Sequence, residues 1–118
     1  MAPPRQKSTV RQLSSPEAAW LGAMVEGEGS ICLRGRRPRY IAVYSSEVET
    51  VATCLRLAGD GTVIYDGEPS SAIGRKPMWR WHLAKINSLF ELLPQLIPYL
   101  TSKDGRAEEV LAYANRRD

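Results

Sequence analysis

The stretch Trp20-Leu21-Gly22-Ala23-Met24-Val25-Glu26-Gly27-Glu28-Gly29 constrains the fold of this chain more than any other. A helix start precedes it: Ser15 can cap, Pro16 suits the first helical position, and Glu17 complements the positive helix end. From there to about Glu26 or Gly27 the pattern is apolar nearly all round, which predicts a helix buried on more than one side. Ala19, Ala23 and Gly27 recur at four-residue steps, with Ala18 and Gly22 in a neighbouring row. Small residues at that spacing let a second helix approach with no side chain between the backbones. One such helix in so small a chain points to self-association about a two-fold axis, through Ala19, Gly22, Ala23 and Glu26. Glu26 and Glu28 then fall at the helix carboxyl end, where the dipole disfavours negative charge. Doubled across a two-fold axis, they would crowd four carboxylates together unless a cation neutralises them. Mg²⁺ suits such oxygen ligands. Two glutamates merely exposed at a helix end fit the same residues, and the stretch alone leaves both readings open.

The next residues change period. Across 29–46, Ile31 and Leu33 point one way while Ser30, Cys32, Arg34 and Arg36 point the other. Gly35 to Pro38 supplies a turn, and Tyr40 to Tyr44 a second strand with Ile41 and Val43 on its apolar side. Ser46 can cap a helix from about Glu47 to Ala58, with Glu49 completing a capping box, and Gly59-Asp60-Gly61 ends it. Thr62 to Tyr65 reads as a third strand, followed by a loop rich in Gly, Pro and Ser. Residues 78–83 form a fourth, with Trp79, Trp81 and Leu83 on one face and Met78, Arg80 and His82 on the other. Helices at about 86–97 and 103–116 follow, separated by Pro98 and loop residues. The order αββαββαα predicts an α+β fold: a four-stranded antiparallel sheet with helices on one face. The covered face takes Ile31, Leu33, Ile41, Val43, Val63, Tyr65, Trp79, Trp81 and Leu83. Residues 1–14, with prolines, serines and basic residues but no apolar periodicity, read as a flexible basic tail ahead of a single domain at 15–118.

Composition narrows the class. At 118 residues the chain is one domain with a core, and its 43% hydrophobic and 25% charged content is ordinary for a soluble globular protein. No apolar run approaches the ~20 residues of a membrane span, and no signal-peptide pattern opens the sequence. Cys32 and Cys54 lie in apolar stretches without metal spacing, which fits a reducing, intracellular setting. A net charge of +3 says little, whereas its distribution says more. Basic residues cluster at Arg34, Arg36, Arg37 and Arg39, around Arg75, Lys76 and Arg80, and in the first eleven residues. That is the footprint of a surface meeting a phosphate backbone, although a solvated basic face fits it too. A twisted antiparallel ribbon presenting arginines can enter the major groove of double-stranded DNA. Alternation nominates Cys32, Arg34, Arg36, Tyr40, Ala42, Thr62, Ile64, Asp66, Arg80 and His82 for that face, with Arg37, Arg39, Arg75 and Lys76 beside it. Arginines can pair with guanine edges and Asp66 could accept from cytosine. His82 fits a base or phosphate contact and a solvated surface histidine equally.

The Trp20–Gly29 stretch resembles the LAGLIDADG motif in its Gly-Glu-Gly-bearing form, and the likeness extends over roughly residues 16–114. Val43-Tyr44-Ser45-Ser46-Glu47-Val48-Glu49 looks like that family's strand-to-helix junction, and Gly59-Asp60-Gly61-Thr62-Val63 like its glycine turn. Leu92-Leu93-Pro94-Gln95-Leu96-Ile97-Pro98-Tyr99-Leu100 followed by Lys103 looks like its third helix and catalytic lysine. The resemblance implies a homing endonuclease, in which two motif helices pack at an interface and the last acid of each motif binds divalent metal over the scissile phosphates. Here that acid is Glu28, where the motif more often has Asp, with the Gly27 carbonyl as a further ligand. Lys103 would stabilise charge or orient water. The polar position that helps hold the attacking water falls on Ser45 or Ser46, where the family more often has a longer amide. A single motif implies a homodimer, with Mg²⁺ (or Mn²⁺) and no small-molecule cofactor or membrane. It would cut both strands of a roughly palindromic target on the order of 20 base pairs long. A non-cleaving relative, such as an intron maturase or DNA-binding regulator, and a protein-interaction domain with an incidental basic face are the competing expectations.

Overall fold

Ser14 starts the first helix. Its hydroxyl accepts from the Glu17 N–H while the Glu17 carboxylate accepts from the Ser14 N–H, a capping box set one residue before the expected Ser15 cap. The computed structural model describes residues 7–35, 37–66 and 77–117, with side chains to 113. Within it α1 (Ser15–Glu28) runs through Gly27 without a break and passes directly into β1 (Gly29–Arg34). Gly27 therefore does not stop the helix; it ends at the second glycine of the Gly-Glu-Gly sequence, Gly29, where the backbone becomes extended.

β2 (Arg37–Ser45) begins earlier than the alternation suggested: Arg34 already pairs with Arg37, and Gly35 in the turn between them takes φ +64°. A register shift after Cys32 leaves Arg39 without a partner, since Cys32 pairs with Tyr40 and Leu33 with Pro38. α2 (Val48–Ala58) begins later than expected. The Ser45 hydroxyl accepts from the Glu47 N–H at 3.0 Å, Glu47 is the N-cap without a side-chain bond, and the Ser46–Glu49 box does not form. β3 (Thr62–Asp66), β4 (Met78–Leu83), α3 (Ile86–Leu96), a 3-10 turn at Ile97–Tyr99 and α4 (Asp104–Arg117) complete the order.

The strands form one antiparallel sheet in the order β1-β2-β4-β3, so the two hairpins join through β2 and β4. One face is covered by the helices: Ile31, Ile41, Val43, Trp81 and Leu83 are fully buried with Leu21, Val25, Val51, Cys54, Leu89, Leu92, Leu93 and Leu96. Each large apolar side chain so buried contributes about 1.5–3 kcal/mol. Coverage fails at one end, where Trp79 is only partly buried and Tyr65 is 51% exposed despite their apolar-side positions. Their rings contact each other there, 4.6 Å between centroids.

Residues 7–14, before α1, have no regular secondary structure, yet from Thr9 they are tied to the domain. Thr9 Oγ1 donates to the Gly59 carbonyl, Arg11 N–H to Ala58, and Leu13 N–H to the Gln95 side chain, while Leu13 joins the core. Much of this anchoring converges on Asp60, which is 6% exposed and accepts from Ser88 Oγ, Gly61 N, Thr9 N and Lys85 Nζ. Burial raises its carboxyl pKa, but those donors outweigh it and bring it down to about 2. No helix among the described residues is long and apolar enough to cross a membrane.

Candidate active site and nucleic-acid interface

Glu26 and Glu28, two residues apart on α1, are turned about 200° from each other around its axis. Their surroundings differ accordingly. Glu26 faces the segment leading into α4, and its carboxylate accepts N–H bonds from Thr101 (2.7 Å), Ser102 (2.9 Å) and Lys103 (3.2 Å) as well as the Ser102 hydroxyl. Lys103 returns across the same gap: Nζ donates to the Glu26 main-chain carbonyl and lies 3.9 Å from the Glu26 carboxylate. The Ser102 hydroxyl is the largest influence on the Glu26 carboxyl, and despite opposing desolvation the bonds hold its pKa at about 2. Glu26, which the sequence reading placed at the interface, is thus engaged within its own chain. Its partners come from 75 or more residues away, a contact that no local pattern announces.

Glu28 is the opposite case. It is exposed and its carboxylate has no hydrogen bond or ion pair among the described residues. Gly27 beside it is exposed too, and a Cβ built there would meet nothing within 4 Å. Along the same outer side of α1, Ala23 is exposed and Ala19 partly so. Gly22 departs from that row. It is buried, and an added Cβ would sit 2.9 Å from the Tyr99 Cβ, so its small size admits the 3-10 turn of the same chain rather than a second helix.

The helix tip also lies at one end of the sheet. Gly29, immediately after Glu28, pairs with Val43, and Ser45 follows two residues later on β2. Ser45 is half-buried and bonded to the Glu47 N–H, whereas Ser46 is exposed and lines an open recess with Glu47, Tyr65, Pro77 and Trp79. Glu28, Lys103 and Ser45 thus belong to structure converging on the α1 terminus. Among the described residues no three His, Cys, Asp or Glu side chains gather as a metal-binding group within one chain.

On the face away from the helices, Ser30, Ala42, His82 and Thr62 lie abreast, Tyr44, Arg80 and Ile64 form the next rank, and Cys32 sits opposite Tyr40. Ala42 is completely buried, so as a DNA-contacting residue it is corrected to the floor of this face. Tyr40 and His82 rings stand 4.7 Å apart near it. The Cys32 thiol, then Tyr44, push the Tyr40 hydroxyl pKa upward. Burial, with Arg80 adding to it, lowers that of His82. Asp66 lies 3.5 Å from Arg80 in an ion pair, at a separation and angle that leave the buried Arg80 Nε without a hydrogen bond among the described residues. Thr62 is exposed and Ile64 partly buried. Arg34, Arg37 and Arg39, at the hairpin end away from α1, are exposed, and their side chains make no ion pair among the described residues. Arg36, Arg75 and Lys76 lie outside the described residues. Ser30 and Tyr44 belong to this face although the sequence reading did not name them as contacts; the two-residue step from Cys32 and Ala42 was the signal.

No protein-family model matches the chain, and no curated protein does. Solved structures do. Over 83% of its length the chain resembles the homing endonuclease I-CvuI in complex with its target (Sro1.3) in the presence of 2 mM Ca, with a TM-score of 0.59 and 22% identity. It also resembles I-CvuI in complex with the I-CreI target (C1221) in 2 mM Mg, with the DNA not cleaved, over 82% of its length at a TM-score of 0.60 and 22% identity. The matches cover 65% and 64% of those chains, so this chain spans slightly less than two thirds of their length. With a helix that delivers an exposed glutamate to the end of an antiparallel sheet, and an arginine-bearing face on that sheet's open side, the chain has the homing-endonuclease fold.

Proposed function

We propose that this chain is one subunit of a homodimeric, metal-dependent endonuclease that cuts double-stranded DNA at a specific, roughly palindromic site. The observation that carries this reading is the contrast at the α1 terminus: Glu28 is an exposed carboxylate without a partner among the described residues, although it sits where the helix dipole opposes it. The I-CvuI structures, with DNA and with Ca or Mg, support the substrate and the divalent ion.

The donor chemistry fits such an ion. Glu28 and the Gly27 carbonyl are hard oxygen ligands, suited to Mg²⁺, and a second subunit would supply the carboxylate that one chain lacks. A bound divalent ion supplies Lewis-acid stabilisation of phosphate charge and a more acidic water. The chain's own residues do the rest. Arg34, Arg37 and Arg39 bind and orient the duplex through phosphates and guanine edges, while Tyr40, Tyr44, His82 and Thr62 face its interior. Lys103 places a fixed cation at the α1 end, and Ser45 or Ser46 offers a hydroxyl to the attacking water. The outer face of α1, through Ala19, Ala23 and Gly27, joins the two subunits.

The test is incubation with a plasmid pool carrying randomised inserts, in Mg²⁺ and separately in Ca²⁺. Linear product with Mg²⁺ and recurrent palindromic sites are expected; bound but uncut DNA under both conditions would make the protein a binder only. Ala23→Leu should halve the mass seen in sedimentation, and an unchanged mass would remove α1 from the interface.

A further inference from the structure

The segment holding Lys103 has no regular structure of its own: residues 101–103 are bends between the 3-10 turn and α4. A lysine there, on a four-carbon stem with three rotatable donors, would sample many positions if nothing fixed it. Glu26 fixes it from two sides. Its carboxylate gathers the N–H groups of Thr101, Ser102 and Lys103 with the Ser102 hydroxyl, and its carbonyl takes the Lys103 ammonium. The carboxylate thus lies against the N-terminal approach of α4, where the helix dipole favours an anion. The ammonium in turn lies against the end of α1, where the dipole favours a cation. One residue clasps two helix ends of opposite polarity. The same residue is two positions from Glu28 on a continuous helix, so any shift of α1's end moves the candidate metal ligand and the lysine together.

We infer that Glu26 is a positioning residue for Lys103, locking its ammonium to the α1 end in register with Glu28. This rests on the nuclease reading above, and it makes the first acid of the motif the holder of the cation rather than a ligand or an interface residue. The charge-assisted bonds involved are the strong kind, and their geometry is set by backbone groups that cannot rotate away.

Two measurements separate this inference from the nuclease reading. The first needs no DNA: amine acylation of the intact protein, quantified lysine by lysine by mass spectrometry. Glu26→Ala should speed acylation of Lys103 severalfold relative to Lys85, and an unchanged ratio would overturn the clasp. The second uses the site that the wild-type protein cuts from the randomised pool. At saturating Mg²⁺ and DNA, Glu26→Ala should cut about a hundredfold more slowly, with DNA affinity in Ca²⁺ unchanged. Lys103→Met should be at least as slow, and the double variant no slower than Lys103→Met, because Glu26 acts through the lysine. Full multiplication of the two losses, or wild-type rate in Glu26→Ala, would overturn the inference. Should the alanine variant melt below the assay temperature, Glu26→Gln, which keeps an oxygen for the N–H groups but not the charge, takes its place with the same criteria. Failure of the wild-type protein to cut any DNA would remove the nuclease reading, and Lys103 acylation would still decide the clasp.

Discussion

The carboxyl end of α1 and the turn that follows α2 each carry an acid, and they treat it in opposite ways. At the α2–β3 turn, Asp60 is buried and receives four donors that tie together the N-terminal segment, the turn and α3. At the α1 tip, Glu28 is exposed and receives none among the described residues. A buried carboxylate persists only when hydrogen bonds offset its lost hydration, so Asp60 has to be saturated and its work is internal. An acid left unpaired against a helix's negative end contributes nothing to holding the chain together. Its use lies outside the chain. Glu26 shows that the contrast is not simply one of position, because two residues before Glu28 an acid on the same helix is fully engaged.

The largest effect should come from the unpaired acid. Glu28→Gln should slow cleavage by about a hundred- to a thousandfold, the scale of losing one charge-stabilising group at a reacting phosphate, with the melting temperature unchanged. A variant that melts early would mean Glu28 has a structural role and would end the contrast. Asp60→Ala should do the reverse, costing about 3 kcal/mol of stability while leaving the cutting rate intact well below the melting point; thermal denaturation checks it.

Acid should expose the same difference. The Asp60 carboxyl is held at about 2 against an ordinary 3.8, so folding is favoured by its ionised form. Because the folded value is the lower, that contribution is complete above about pH 4 and is lost as the pH falls towards 2, amounting to about 2 kcal/mol. Subtracting the pH dependence of Asp60→Asn from that of the wild type isolates it; identical curves would refute the assignment. The smallest effect sharpens the comparison on α1 itself. Gly27→Ala should raise monomer stability by up to about 1 kcal/mol through helix propensity, since nothing in the chain meets the new methyl. Gly22→Ala should lower stability because its methyl meets Tyr99. If Gly27→Ala also weakens self-association in sedimentation, the glycine is small for a partner's sake.

What could be read from residues was whatever repeats locally. The element order, the fourth strand at 78–83 and the four-stranded sheet followed from periodicity, because side-chain alternation and helical spacing are set by neighbours along the chain. Glu28 and Lys103 were named through family likeness, and the fold that carries them is the one expected. Helix starts slipped by a residue or two because Ser14, Ser15 and Ser46 are equivalent as caps until the backbone angle of each is known.

Other features were not local. Ala18, Ala19, Gly22, Ala23 and Gly27 look alike in sequence, yet only the placement of Tyr99 separates the inward glycine from the outward one. Glu26 and Glu28 are chemically the same residue on the same helix, and the segment 101–103, far along the chain, takes one and leaves the other. The sequence by itself determined the elements, the motif and the basic strand face, since these depend on residues a few positions apart. The tertiary structure alone decided which acid is satisfied and which is free, because that depends on donors brought together from distant parts of the chain.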